Sequence, residues 1–128
     1  MISVTFIAPR FGVGNAIFCV LLGQMFEGLT GQGFYEALKQ RVLKPVLAGE
    51  KIAALACTEP TGGSDVGAIR STARRDGDTY VVNGEKTFIS SGMRADHFVA
   101  VVRTGGPGTK GLSLLVIDGD SPGLSRYP

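Results

Sequence analysis

Residues 52–65 read Ile-Ala-Ala-Leu-Ala-Cys-Thr-Glu-Pro-Thr-Gly-Gly-Ser-Asp, and this stretch decides how the rest of the chain is interpreted. Its first half, Ile52–Cys57, is typical of a buried strand, because it is short, apolar and followed at once by turn residues. Its second half, Thr58–Asp65, combines hydroxyl groups with two adjacent glycines. Helical spacing disappears after Lys51, so the stretch marks the change from a helical to a β region.

Upstream of the stretch the pattern is helical. Apolar residues recur there at intervals of three and four in two runs: Ile17, Val20, Leu21 and Met25, then Phe34, Leu38, Val42 and Val46. This predicts two helices separated by Gly28–Gly33. Lys44-Pro45 is expected to interrupt the second helix, and Gly49 to close the segment. The opening residues Met1–Arg10 are interpreted as a short apolar strand or loop.

Downstream of the stretch, glycine turns separate short strands. Asp76-Gly77 and Asn83-Gly84 favour two-residue hairpin turns, and they bracket the alternating segment Thr79–Val82. A meander of three strands is therefore predicted. Two further strands are expected at Phe98–Val102 and Leu112–Ile117.

The expected fold class is α+β, with N-terminal helices followed by an antiparallel β-barrel or β-sheet domain. We divide the chain into residues 1–52, a partial N-terminal helical domain, and residues 53–128, a β domain. The loop Gly106–Gly111 satisfies G-x-G-x-x-G, but a dinucleotide-binding turn leads from a strand into a helix, and here a strand follows. A hairpin loop is favoured.

Composition bounds the function. Of 128 residues 44% are hydrophobic and 19% charged, which is enough apolar material for a core. The net charge of +2 argues against a nucleic-acid partner. The longest apolar run, Ala16–Leu22, is too short to span a bilayer, and no basic leader opens the chain, so we expect a soluble, cytoplasmic protein.

Cysteine and histidine usage gives no sign of a metal site. Cys19 and Cys57 lack C-x-x-C spacing and have a single histidine, His97, to join them, so we expect two buried thiols rather than a zinc site or a disulfide framework. His97 itself has no partner placed by sequence, and a satisfied or surface histidine is favoured over a base.

The segment Thr58–Asp65 is the best candidate for binding. Glycines let the backbone approach a ligand closely, and Ser64 adds a hydroxyl, a combination that suits phosphate or pyrophosphate. The same residues fit a plain turn in which Asp65 or Ser64 caps the next segment. Phe88-Ile89-Ser90 ends a later strand with an aromatic residue and a hydroxyl.

Two linked blocks carry a family resemblance. They are Ala54–Asp65, containing Thr-Glu-Pro-Thr-Gly-Gly-Ser-Asp, and Asn83–Gly92, containing Asn-Gly-Glu-Lys-Thr-Phe-Ile-Ser-Ser-Gly, with Ala95-Asp96 after them. In order and separation they resemble the middle domain of the acyl-CoA dehydrogenase family. Gln40–Glu50 is similar to the helix and loop that lead into that domain.

The resemblance implies FAD as cofactor and assigns roles residue by residue. By this likeness the backbone of Leu55 and Cys57 lines the flavin ring, and Thr58 bonds its polar edge. Gly63 and Ser64 match positions that meet the pyrophosphate. Phe88 matches the position that contacts the flavin ring, and Ser90 the position near its N5 region. Ser64 also lies near the acyl-CoA thioester arm, whereas Glu59 and Asp65 are expected to be structural.

The resemblance also implies an activity, α,β-dehydrogenation of an acyl-CoA thioester to a 2-enoyl-CoA, with hydride transfer to flavin N5. An electron-transferring flavoprotein is the expected electron acceptor, and a homodimer or homotetramer the expected assembly. No catalytic residue is assigned, because the family's glutamate lies in a C-terminal helical domain, and none of the chain's glutamates matches it: Glu27, Glu36, Glu50, Glu59 and Glu85.

Some residues depart from the family pattern. Ser90 stands where threonine is commoner, and Thr61 where glycine is common. Because no residue of the chain matches the family's catalytic base, an inactive fragment is one expectation for this chain. A flavin-dependent monooxygenase of the same fold and a non-catalytic binding or oligomerisation module are the alternatives.

Overall fold

The computed structural model describes the backbone of residues 2–9 together with residues 36, 38–77 and 79–128. A π-helical turn at Lys39–Leu43 and the short helix α1 at Lys44–Leu47 precede most of the sheet, and 3-10 turns occupy Val66–Ala68 and Thr109–Gly111. The strands are β1 (Ile2–Pro9), β2 (Ala53–Ala56), β3 (Thr72–Asp76), β4 (Thr79–Lys86), β5 (His97–Arg103), β6 (Leu112–Asp118) and β7 (Leu124–Arg126). The first predicted helix, marked by Ile17, Val20, Leu21 and Met25, and Cys19 lie outside the described residues.

The strands form one mixed sheet with the order β2-β5-β3-β4-β1-β7. β5 pairs with a third strand off this path, β6, in addition to β2 along residues 97–100 and β3 at Arg103. β5 and β6 are antiparallel over their whole length, whereas β2 runs parallel to β5 from Ala53↔His97 to Ala56↔Ala100. Of the predicted antiparallel barrel or sheet, the sheet is confirmed; the barrel is wrong because this sheet is not closed, and the antiparallel arrangement is wrong because the sheet is mixed.

The parallel pairing of β2 follows from hydrogen bonds between Ile52 and the start of β5. Asp96 Oδ2 accepts the backbone N–H of Ile52 at 2.8 Å, and the Ile52 carbonyl accepts the N–H groups of Asp96 and His97 at 2.8 and 3.1 Å. These bonds join the starts of the two strands, so both strands leave the same point in the same direction. A short apolar run such as β2 carries no information about its direction, because its hydrogen-bonding partner lies about forty residues away in sequence.

The two glycine dipeptides behave differently. Asp76-Gly77 makes the predicted turn between β3 and β4, with Gly77 at φ 58°. Asn83-Gly84 does not turn, since β4 continues through it to Lys86 and pairs with β1 on its other side. Gly84 is required there for space, because a Cβ at this position would collide with the buried Ser71. The predicted three-stranded meander is therefore wrong at its second turn.

The helical segment before β2 also differs from its prediction at one point. Lys44-Pro45 does not interrupt it, because Lys44 keeps helical angles (φ −61°, ψ −51°); the π-helical turn ends at Leu43, and Pro45 falls in the first turn of α1, where proline is best tolerated. Gly49 closes the segment as expected, with φ 75° and a Schellman pattern of bonds from Gly49 to Val46 and from Glu50 to Pro45. Among the described residues no helix is long and apolar enough to cross a membrane.

The core lies on one side of this sheet. Its buried members are Ala54, Ala56, Ala73, Val82, Ala95, Phe98, Ala100, Val102, Leu115 and Ile117. The guanidinium of Arg126 covers the Phe98 ring at 5.2 Å from its centroid. Because side chains alternate along a strand, burying Ala54 and Ala56 turns Leu55 outward, where it is 58% exposed.

Candidate functional site

The loop after β2 begins with a tight turn. Glu59 and Gly62 exchange two backbone hydrogen bonds, both of 3.0 Å, around Pro60 and Thr61. Proline at the second position of a turn presets the required φ, and Gly62 takes φ 146°. Gly63 then lies against Thr58, since a Cβ at Gly63 would be 3.0 Å from Thr58 Cγ2. The turn thus folds the loop back onto its own start.

A buried ion pair stabilises this turn. Lys86 Nζ lies 2.9 Å from Glu59 Oε1, and the two side chains are 3% and 4% exposed. Glu59 also accepts the backbone N–H groups of Arg70 at 2.8 Å and Ser71 at 2.9 Å. Its carboxylate therefore ties together the loop, the start of β3 and the end of β4.

The ionisation of the pair reflects these contacts. Burial alone would raise the pKa of Glu59, but hydrogen bonds from Ser71, Arg70 and Lys86 outweigh it and lower that pKa to about 2. Burial lowers the pKa of Lys86, and the Glu59 carboxylate opposes that change. Glu59 is thus charged at neutral pH. Its charge is compensated by a neighbouring cation and by two backbone donors.

The same lysine brings two chain segments side by side. Lys86 Nζ donates to the Cys57 carbonyl at 3.0 Å, and the next residue, Thr87, donates its N–H to the Thr58 carbonyl at 2.8 Å. The end of β4 is therefore fixed against the end of β2. Phe88 follows directly from this junction.

The Phe88 side chain is exposed to solvent and does not pack in the core. Its side chain is 92% exposed, and its backbone has φ 54°, a left-handed conformation that costs about 1 kcal/mol or more for a residue with a Cβ. Ile89 packs against the core, and Gly92 and Arg94 donate N–H groups to the carbonyls of Ile89 and Ser91. The turn that presents Phe88 is thus anchored on both sides.

The candidate residues from the sequence fall on these two segments. The structure brings Cys57, Thr58, Gly63 and the Thr87-Phe88 junction together through the contacts above. Ser64 follows Gly63 and is exposed. Leu55 and Ser90 are exposed on the same two segments, but within residues 36, 38–77 and 79–128 no hydrogen bond joins them to the others. Cys57 is a half-buried free thiol.

Sequence reasoning missed Lys86. The signal was present, because Val82, Gly84 and Lys86 are two residues apart and share one face of β4, and Val82 is buried. A lysine on a core-facing position needs a buried acceptor, and Glu59 provides it. Glu59 was expected to be structural, and its contacts in the fold are of that kind.

A second polar cluster lies at the start of β5. His97 Nδ1 is 3.0 Å from Asp118 Oδ1, Arg41 is 3.4 Å from Asp118, and Lys51 is 3.0 Å from Asp96. His97 is 9% exposed and bonded, which agrees with a satisfied histidine. Each acid here has a cationic or imidazole partner, so the cluster joins the helical segment to the sheet.

Comparison with known proteins identifies the fold. The family model described as acyl-CoA dehydrogenase, middle domain, matches residues 54–128. Isobutyryl-CoA dehydrogenase of Bos taurus is 43% identical over 90 residues, which are 70% of this chain and 22% of that protein. The chain spans between 20% and 26% of the length of the curated relatives it matches.

Solved structures agree with this match. The crystal structure of a probable acyl-CoA dehydrogenase from Mycobacterium abscessus superposes with a TM-score of 0.68 at 60% identity, over 69% of this chain and 23% of that one. An FAD complex of PigA gives a TM-score of 0.65 at 36% identity, over 68% of this chain and 23% of that one. These matches define the fold as that of an acyl-CoA dehydrogenase middle domain. The chain belongs to the acyl-CoA dehydrogenase family, through that family's middle domain.

Proposed function

We propose that residues 53–128 provide an FAD-facing surface in an oxidoreductase of the acyl-CoA dehydrogenase type. The proposed substrate is an acyl-CoA thioester, which is converted to the 2-enoyl-CoA. When bound, FAD supplies the acceptor for the hydride that leaves the β-carbon. The carboxylate that removes the α-proton is assigned to a helical part of the family's fold, outside residues 53–128. Residues 1–52 are proposed to be part of the N-terminal helical domain except for β1, which pairs with β4 in the sheet.

One observation carries the proposal. Phe88 combines 92% exposure with a left-handed backbone at the point where two buried segments are hydrogen-bonded together. A large apolar ring held in water at a conformational cost is best explained by a flat partner that stacks on it, because strain of this kind gathers at binding sites. The isoalloxazine ring of FAD has that shape, and Leu55, 58% exposed, offers further apolar surface.

The neighbouring loop suits the charged part of the same cofactor. Gly63 packs closely on Thr58, and a glycine lets a ligand approach its backbone because it has no side chain. Ser64 is exposed beside it and carries a hydroxyl. We assign Gly63 and Ser64 to the pyrophosphate, and Ser64 also to the acyl-CoA arm.

The remaining assignments follow the family likeness. Thr58 is proposed to bond the polar edge of the flavin, and Ser90 to lie near its N5 region. The backbone of Leu55 and Cys57 is proposed to line the ring. The FAD complex among the relatives supports FAD as the cofactor. An electron-transferring flavoprotein is the proposed acceptor, and a homodimer or homotetramer the proposed assembly.

The test compares Phe88→Ala and Phe88→Gly with the unchanged chain. FAD binding is measured by titration calorimetry, and stability by urea unfolding. Both variants should lose most of the FAD affinity, because both lack the ring. Phe88→Gly should nevertheless be about 1 kcal/mol more stable than Phe88→Ala, because glycine adopts φ 54° without strain.

Leu47→Ala is the matched control, since Leu47 is an 85% exposed apolar residue on α1. It should leave FAD affinity unchanged. If the unchanged chain folds but binds no FAD, the proposal fails and a non-catalytic binding module is favoured. If Phe88→Ala binds FAD as tightly as the unchanged chain, Phe88 is not part of the site.

A further inference from the structure

The glycine-rich loop between β5 and β6 is held by one side chain. Arg103, the last residue of β5, donates from Nη1 to the carbonyl oxygens of Gly106 at 2.6 Å and Gly108 at 3.0 Å. The loop closes tightly around these bonds, because a Cβ at Gly111 would collide with the Gly106 carbonyl. The segment that resembled a dinucleotide-binding motif is thus folded around an arginine.

The same guanidinium reaches the loop that follows β2. Arg103 Nη2 donates to the Gly67 carbonyl at 2.7 Å, and its Nε to the Ile69 carbonyl at 3.0 Å. The two loops also touch, since a Cβ at Gly67 would be 3.8 Å from Gly108 Cα. Four carbonyl oxygens from two separate loops therefore share one cation.

The position of Arg103 is itself fixed. Its backbone N–H donates to the Ser71 carbonyl at 2.7 Å, and Ser71 N–H donates in turn to the Glu59 carboxylate. The loop from Glu59 to Ile69 is consequently tied at its beginning by Glu59 and at its end by Arg103. Ser64 lies between the two ties, three residues before Gly67.

We propose that Arg103 is a positioning residue, which sets the location of Gly63 and Ser64 by clamping Gly67 and Ile69 to the Gly106–Gly108 loop. The inference rests on the proposed function, because it assumes that Gly63 and Ser64 meet the cofactor's pyrophosphate. A planar guanidinium with five donors can serve four carbonyl groups in fixed directions, whereas the ammonium of lysine is a point donor on a flexible stem. Charge alone is therefore not sufficient for this role.

The experiment measures FAD dissociation constants of the chain carrying Arg103→Lys, with Arg74→Gln as the matched control. Arg74 is an exposed arginine on β3. Arg103→Lys keeps the charge and should raise the dissociation constant about tenfold, which corresponds to the loss of one to two hydrogen bonds in positioning. Arg74→Gln should leave it unchanged.

A second comparison separates positioning from general loss of stability. Ser64→Ala is introduced into the unchanged chain and into Arg103→Lys, at a temperature where circular dichroism shows all variants folded. If Arg103 acts through Ser64, the effect of Ser64→Ala on FAD affinity should be clearly smaller in the Arg103→Lys background. If both backgrounds lose affinity by the same factor, or if Arg103→Lys lowers the melting temperature with an unchanged dissociation constant, the positioning role is overturned.

Pro107→Gly tests the same clamp without touching the guanidinium. A more flexible loop should raise the dissociation constant in the same direction by a smaller factor, and this variant remains informative if Arg103→Lys does not fold. An unchanged constant for Pro107→Gly in that case overturns the inference. Failure of the unchanged chain to bind FAD would instead overturn the proposed function itself, so the two failures are distinguishable.

Discussion

Replacing Lys86 by methionine leaves the buried carboxylate of Glu59 without its cation. The two groups are 2.9 Å apart and at most 4% exposed, so water cannot take over the role of the lysine. Breaking a buried ion pair by removing one partner costs about 3 to 5 kcal/mol. The lower end is expected here, about 3 kcal/mol, because Glu59 keeps the N–H donors of Arg70 and Ser71.

The double variant Glu59→Gln/Lys86→Met gives a sharper test of that magnitude. Arg70 N–H bonds Oε2 and Ser71 N–H bonds Oε1, so the single oxygen of glutamine keeps one of these two bonds, and no charge remains buried. Because no buried charge remains, the double variant should be no less stable than Lys86→Met alone, and with single losses of about 3 kcal/mol each the coupling free energy in the double-mutant cycle should be about 3 kcal/mol. Urea unfolding followed by circular dichroism at pH 7 measures all four proteins.

The pH dependence gives the same pair an independent signature. The pKa of Glu59 is lowered from 4.5 to about 2, so the stability that its charge contributes is present above pH 4.5 and is lost as the pH falls towards 2. The linked free energy is roughly 3 kcal/mol. The unchanged chain should exceed Glu59→Gln by about this amount at pH 7, and the gap should close on acidification.

Exposed residues supply the controls for this series. Lys110→Met and Glu50→Gln remove the same groups from exposed positions and should change the free energy of unfolding by less than about 0.5 kcal/mol. The reasoning is refuted if Lys86→Met is as stable as the unchanged chain. It is also refuted if the gap between the unchanged chain and Glu59→Gln is the same at pH 3 and pH 7.

Two further predictions concern the glycine in β4 and the loop hydroxyls. Gly84→Ala should lower the free energy of unfolding by about 2 kcal/mol or more, because its Cβ would collide with buried Ser71, whereas Gly106→Ala, which points into open space, should have little effect in the same urea assay. Ser64→Ala and Thr58→Ala should each weaken FAD binding by roughly 1 to 3 kcal/mol in calorimetric titrations; unchanged affinity in both would remove these residues from the site.

Local sequence signals predicted the β region well where the cause of structure is local. Asp76-Gly77 makes its turn because both strands beside it are adjacent in sequence. Asn83-Gly84 carries the same signal and makes no turn; its glycine lies inside β4 against Ser71, thirteen residues earlier. Residue pattern alone does not distinguish a glycine that makes a turn from one that lies inside a strand against a close neighbour.

The direction of β2 and the helical passage through Pro45 were missed for related reasons. Asp96 determines how β2 pairs, and its bond to Ile52 spans 44 residues. Pro45 was read as a breaker, although a proline in the first turn of α1 is tolerated. Both outcomes depend on where neighbouring elements begin, which a single window of sequence does not contain.

The candidate site was predicted through paired motifs rather than through physical signals. By composition, Thr58–Asp65 fits a plain turn as well as a binding loop. Phe88 fits a core residue as well as a binding residue. The fold separates these interpretations for Phe88, which is exposed and held in a left-handed conformation. Lys86 is the opposite case. The alternation of inward and outward side chains along β4 indicates that Lys86 is buried, but the family motifs do not single it out.

The central claim is that the ends of β2 and β4 present one face to FAD. The most direct measurement is a series of ¹H–¹⁵N NMR spectra of the labelled chain during an FAD titration. The account predicts saturable shift changes that cluster at residues 55–64 and 87–90, with little change along β6 and β7. Shift changes confined to β6 and β7, or none at all in a folded chain, would contradict it.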